Sequence, residues 1–161
     1  MSTVSDAVTG AVRHAMSAAR HDKIDALEAL IRAECPAVEC PVRNHFAPGV
    51  YAREMTIPAG TVLTGKIHKT AALSIMSKGA LLLYMEDGTT REIRAPFTYI
   101  APPGTRRAAY ALEETVWTVI HPTDLTDVDE IERQFIAQTP EEFRLFCESQ
   151  LKLAPSAAEG S

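Results

Sequence analysis

Eight side chains between positions 66 and 121 carry most of the chemistry on offer: Lys66, His68, Lys69, Arg106, Arg107, Tyr110, Trp117 and His121. An imidazole titrates near neutrality and can serve as a base or a metal ligand. Guanidinium and ammonium groups recognise phosphates and carboxylates, the first as a planar fork and the second as a compact charge. A phenol supplies an acid, and an indole a stacking face. Lys66 and His68 stand two apart, so on a strand both point to one face while Ile67 points to the other. Thr115, Trp117, Val119 and His121 share a face by the same parity, whereas Tyr110 has the opposite parity to Arg107. His45 precedes Pro48-Gly49 and reads as a surface or lid residue, while His14 and His21 fall on helical segments without an expected role. Cys35 and Cys40, each followed by proline, look like half of a zinc site, but no second Cys/His pair stands at zinc-finger spacing. With Cys147 they read as reduced thiols.

The elements that position these residues follow from periodicity. The chain has 161 residues, 46% hydrophobic and 23% charged, which fits one globular domain. The formal charge of −5 is uneven. Residues 122–161 hold three Lys and Arg against nine Asp and Glu, while residues 50–121 hold eight against six. The acidic total argues against a broad nucleic-acid surface. No stretch approaches the ~18 apolar residues of a membrane span, and Asp6, Arg13, Arg20, Asp22 and Asp25 leave no signal-peptide core. The expectation is a cytoplasmic protein with no membrane partner.

Residues 1–45 read as an N-terminal helical segment. Ser5 caps a first helix with Val8, Val12, Ala15, Met16 and Ala19 on one face, and Ile24, Leu27, Leu30 and Ile31 form the stripe of a second, which Pro36 ends. Residues 46–121 are a train of short β-branched and aromatic runs. Strands are expected at Val50–Ile57, Val62–His68, Leu73–Met76, Ala80–Glu86, Thr89–Arg94, Phe97–Ile100, Arg106–Leu112 and Thr115–His121. Asp87-Gly88 signals a two-residue hairpin turn. Strands at this spacing predict a sandwich or small barrel. Residues 122–152 return to helix, one run capped by Thr126 and another by Thr139 with Pro140 at its first position. Residues 153–161 read as a flexible tail. The fold class is mainly β, a jelly-roll barrel flanked by helices at both ends.

Two motifs in the barrel zone resemble those of the cupins. Gly60 is followed at cupin spacing by Lys66-Ile67-His68, with Gly79 near the motif's closing glycine, and Pro102-Pro103-Gly104-Thr105-Arg106-Arg107 matches the second motif's P-x-G-x2 core. GKIHKT, SKG, PPGT and the TVW…H ending are also similar to small cupin-like proteins of phages and proteobacteria. The resemblance covers roughly residues 46–121 and implies that Lys66, His68 and Arg107 face the barrel interior. It also marks departures. Lys66 and Arg107 stand where histidine ligands belong, no carboxylate occupies 71–73, and His68 alone remains of four ligand positions. Two cations repel a metal ion, so no metal and no other cofactor is expected.

Cations inside a barrel need partners, because an unpaired buried charge costs several kcal/mol. Either Glu54, Glu92, Glu113 or Glu114 neutralises them, or the pocket receives an anion. The expected function is a metal-independent protein that binds an anionic small molecule of the nucleotide or sugar phosphate class. The phage resemblance implies sequestration as its use. The ligand set is Lys66, His68, Lys69, Arg106, Arg107, Tyr110, Trp117 and His121. The alternatives are a metal-free epimerase or isomerase, with His68 as base and Tyr110 as acid, a metal-dependent dioxygenase or isomerase using a divalent metal on His68 and His121, and a purely structural dimerisation scaffold. Two flanking helical segments with apolar stripes exceed what one small barrel needs to cover its faces, and the cupin resemblance implies pairing of barrels through edge strands, so a homodimer is expected.

Overall fold

The computed structural model describes residues 22–85 and 88–153. The helix expected from Ser5, the Asp87 half of the hairpin turn and the tail beyond Leu153 lie outside the described residues. A first helix, α1, occupies 22–34. It buries Ile24 and half-buries Leu27 and Ile31, while Leu30, expected in the same stripe, is exposed.

Eleven strands follow among the described residues. β1 (Val42–Ala47), β2 (Val50–Ile57), β5 (Ala72–Lys78), β8 (Phe97–Ala101) and β10 (Thr115–Pro122) form one antiparallel sheet in the order β1-β2-β10-β5-β8. β3 (Val62–Thr64), β6 (Ala80–Tyr84), β7 (Thr90–Arg94) and β9 (Ala108–Ala111) form a second in the order β3-β9-β6-β7. The inner faces meet in a core of Ile57, Met76, Leu81, Leu83, Ile93 and Ala111, with Trp117, Phe97 and Met55 packed against it. Burial of this kind is the main favourable term in folding, about 1.5–3 kcal/mol for each large aliphatic side chain.

Strand parity sorts the inner face of the large sheet into rungs. Met55, Trp117, Met76 and Phe97 lie opposite one another across four strands and form an apolar floor. The next rung is Arg53, Val119, Ser74 and Tyr99. Above it Tyr51 pairs with His121.

Glycine is required at two turns. A Cβ on Gly79 (φ +91°) would lie 2.3 Å from the Glu114 carbonyl oxygen, so the β5–β6 turn admits no side chain. At Gly104 (φ +77°) it would lie 2.6 Å from the Phe143 ring, which packs against the Pro102-Pro103-Gly104 turn.

Several expectations are corrected. Val62–His68 is two strands. Gly65 N–H donates to the Arg107 carbonyl (2.7 Å), after which the chain leaves the small sheet and β4 (Ile67–His68) pairs with β11 (Ile136–Ala137). β11 lies within the zone read as purely helical, between α2 (Val128–Phe135) and α3 (Pro140–Leu153). α2 is capped by Asp127, whose carboxylate accepts from Glu130 N–H at 2.9 Å, and not by Thr126. Thr139 caps α3 with Pro140 at its first position. β1 lies mostly in the segment assigned to helix. β9 starts at Ala108, which leaves Arg106 and Arg107 in the loop before it.

Candidate functional site

A cavity of about 360 Å³ lies between the sheets, beneath α2. Its apolar walls include Ile57, Leu81, Leu83 and Trp117 of the core, together with Ile131 and Phe135 of α2. Polar groups enter from the Arg53 rung, from the Thr64–Lys66 and Thr105–Arg107 segments, and from His68, His121 and Glu132. A largely apolar wall with a few convergent polar groups is the usual form of a small-molecule site.

Arg107 is held against Tyr99. Its guanidinium carbon is 4.5 Å from the ring centroid, and Nη2 donates to the phenol oxygen at 2.5 Å. Its Nε is buried without a hydrogen-bond partner, and among the described residues no carboxylate pairs with it. Lys66, about half exposed, forms an ion pair with Glu132 of α2 at the rim. The Lys66 hydrogen bond holds the Glu132 carboxyl below the usual range.

His68 and His121 stack with centroids 5.6 Å apart, and Phe135 covers His121 at 4.4 Å. Burial pushes His121 down to about 4, with His68 adding to the shift. Burial and then the Lys66 charge lower His68. Both rings are therefore neutral at pH 7, each with one acceptor and one donor nitrogen. Nδ1 of each is buried without a partner.

The structure brings together Lys66, His68, Arg107, Trp117 and His121 around the cavity. Three of the expected ligands are placed otherwise. Tyr110 sits opposite Val62 and Leu82 and is 41% exposed on the outer face, because its parity on β9 is the reverse of the cavity-facing Ala109 and Ala111. Lys69 turns toward α3, pairing with Glu142 at 2.8 Å and donating to the Arg133 carbonyl. Arg106 touches the cavity wall, but its guanidinium is clamped by Asp25 and Glu28 of α1.

The expected internal carboxylates are also elsewhere. Glu92 and Glu113 hold Arg94, Glu114 holds Lys78, and Glu54 faces His45. Sequence reasoning missed Arg53, Ser74, Tyr99 and Glu132. The first three were legible in parity, since Arg53 alternates with Tyr51, Met55 and Ile57, and Tyr99 with Phe97 and Ala101. Glu132 carried no such signal, because only the docking of α2 brings it to the rim.

No protein-family model matches the sequence, and no curated protein matches it. Solved structures do. Ectoine synthase from P. lautus aligns at 13% identity with a TM-score of 0.50, over 63% of this chain and 77% of that one. KdgF from Halomonas sp. aligns at 20% identity and 0.45, over 59% and 88%. A cupin domain from Bordetella pertussis Tohama I aligns at 18% identity and 0.43, over 55% and 97%. The fold is a cupin fold. At these identities the likeness extends to architecture alone.

Many cupins carry a metal, so the donor set of this barrel must be tested against one. Among the described residues no three His, Cys, Asp or Glu side chains come together to hold an ion. Two imidazoles beside Lys66 and Arg107 are a poor match to a divalent cation, which takes three or four donors and is repelled by neighbouring positive charge.

Proposed function

We propose that this cupin barrel binds a small organic anion without a metal. The observation that supports this best is Arg107, a guanidinium fixed on Tyr99 at the wall of an apolar cavity, with a buried Nε–H unpartnered and, among the described residues, no carboxylate paired with it. A fixed cation in a low-dielectric wall is favourable chiefly when an anion meets it. Because the Tyr99 hydroxyl accepts from Arg107, its own proton is free to be donated to the same anion. His68 and His121 add neutral donors and acceptors, and Trp117, Met55 and Phe97 suit an apolar body better than a sugar. The ligand class this favours is a carboxylate or phosphate carried on an apolar or ring-bearing body.

Isomerisation finds less support, since Tyr110, the acid assigned to it, is on the outer face and among the described residues no carboxylate orients His68. Binding without turnover is also what sequestration would need. The test is a melting-temperature panel of carboxylates, phosphate monoesters and nucleotides on the wild type and on Arg107→Met, followed by mass spectrometry for product. A shift of several degrees with at least one anion, lost in Arg107→Met and without turnover, is the expected result. A flat panel on the wild type contradicts the reading.

A further inference from the structure

The cavity holds a second guanidinium that the anion reading does not use. Arg53 lines it from β2 and, like Arg107, forms no ion pair among the described residues; its Nη1 lies 3.9 Å from the Met55 sulfur. Glu132, whose carboxyl the Arg53 charge helps to hold down, hydrogen-bonds Lys66 and Gln138 (3.4 Å) and not Arg53. Lys66 and Glu132 cancel, and Arg106 is neutralised outside by Asp25 and Glu28. The net positive charge facing the cavity is therefore that of Arg53 and Arg107.

These two charges lie at opposite ends of one rung. Arg53 is opposite Val119, Val119 opposite Ser74, and Ser74 opposite Tyr99, on which Arg107 rests. Three strand steps of about 4.8 Å put the Arg53 and Tyr99 backbones roughly 14 Å apart. The Arg53 charge acts at the β2 side. Burial raises the Cys40 thiol and the Tyr51 phenol, and Arg53 works against both rises. Val119 and the buried Ser74 occupy the rung between the Arg53 and Tyr99 positions, with Trp117 on the rung beneath. A single carboxylate or phosphate spans no more than about one strand step, so a ligand that meets both ends of the rung carries two acidic groups.

Resting on the anion reading above, we infer that the ligand is a two-ended dianion, its acidic groups separated by an apolar linker, with one end on Arg107 and Tyr99 and the other on Arg53. The linker lies over Val119 and Ser74.

Calorimetric titration of the full chain tests this with adipate, pimelate and suberate, each against the monocarboxylate of equal length, on the wild type, Arg53→Met and Arg53→Lys. The best diacid is expected to bind at least about tenfold tighter than its monoacid, the gain from one added charged hydrogen bond. Arg53→Met removes that gain and leaves the monoacid unchanged, while Arg53→Lys keeps part of it and shows that the fold tolerates the position. Equal binding of diacid and monoacid, or a diacid preference that survives Arg53→Met, overturns the two-ended ligand and leaves the Arg107 site standing. Phenyl phosphate that outbinds every diacid and ignores Arg53 overturns it as well. Failure of every diacid, monoacid and phosphate ester on the wild type defeats the anion reading itself.

Discussion

The guanidinium of Arg107 lies on the ring of Tyr99, 4.5 Å from its centroid, and donates to the phenol oxygen at 2.5 Å. Two rotatable side chains, one on β8 and one in the loop before β9, thus fix one another, so the cation is oriented before any ligand arrives. Preorganisation of this kind lowers the entropy lost on binding. Tyr99→Phe keeps the stacking and removes a hydrogen bond whose donor is charged, so anion affinity should fall by roughly tenfold or more with little change in stability. Tyr99→Leu also removes the cation–π contact and should cost more. Calorimetry on both variants checks the order. Equal affinities in wild type and Tyr99→Leu would show that the pair does not position the cation.

Acid should destabilise the protein through its buried histidines. His121 has a pKa of about 4 when folded against 6.5 when unfolded, so between these values the unfolded chain binds a proton that the folded chain refuses. The stability contributed is complete above about pH 6.5 and is lost as pH falls toward 4, by about 3 kcal/mol. His68, also lowered by burial and then by Lys66, shifts stability in the same direction. Urea midpoints measured across this range should drop in the wild type and drop less in His121→Asn. Identical pH dependence in the two proteins would remove His121 from the account.

How much of this was legible beforehand depended on whether a residue's place is set by its own strand. Val50–Ile57 was read with its exact ends, and Lys66, His68, Trp117 and His121 line the cavity as parity and the cupin resemblance implied. Glu132, Asp25 and Glu28 were not legible as partners of Lys66 and Arg106, because helix docking brings together residues 66 to 81 positions apart. β1 escaped notice because all six of its residues are exposed, leaving no hydrophobic alternation to read. Lys69 was misassigned by adjacency to His68, since the chain turns at the end of β4 and hands that side chain to α3.

Gly79 should be intolerant of any side chain. Its φ of +91° disfavours L-residues, and a Cβ would meet the Glu114 backbone oxygen at 2.3 Å, which cannot be relieved by a rotamer change. Gly79→Ala should lower stability by about 2–4 kcal/mol, visible as a lower melting temperature. Because the turn joins β5 to β6, one strand from each sheet, an unchanged melting temperature would mean that the turn is not rigid.

Elemental analysis separates the metal-dependent alternative. Purified protein should carry well below one transition-metal ion per chain, since His68 and His121 offer only two donors beside Lys66 and Arg107. Stoichiometric iron, manganese, nickel or zinc that disappears in His68→Ala would replace the anion reading with a metal centre.

Arg107 carries the central claim, and a calorimetric Kd for the best anion in wild type and Arg107→Met tests it most directly. Methionine keeps the unbranched apolar stem while removing the charge and its donors. A charged hydrogen bond contributes about 1.5–3 kcal/mol, so affinity should fall by roughly 10–150-fold while the melting temperature of the free protein holds or rises. An anion bound equally tightly by both proteins would contradict the account.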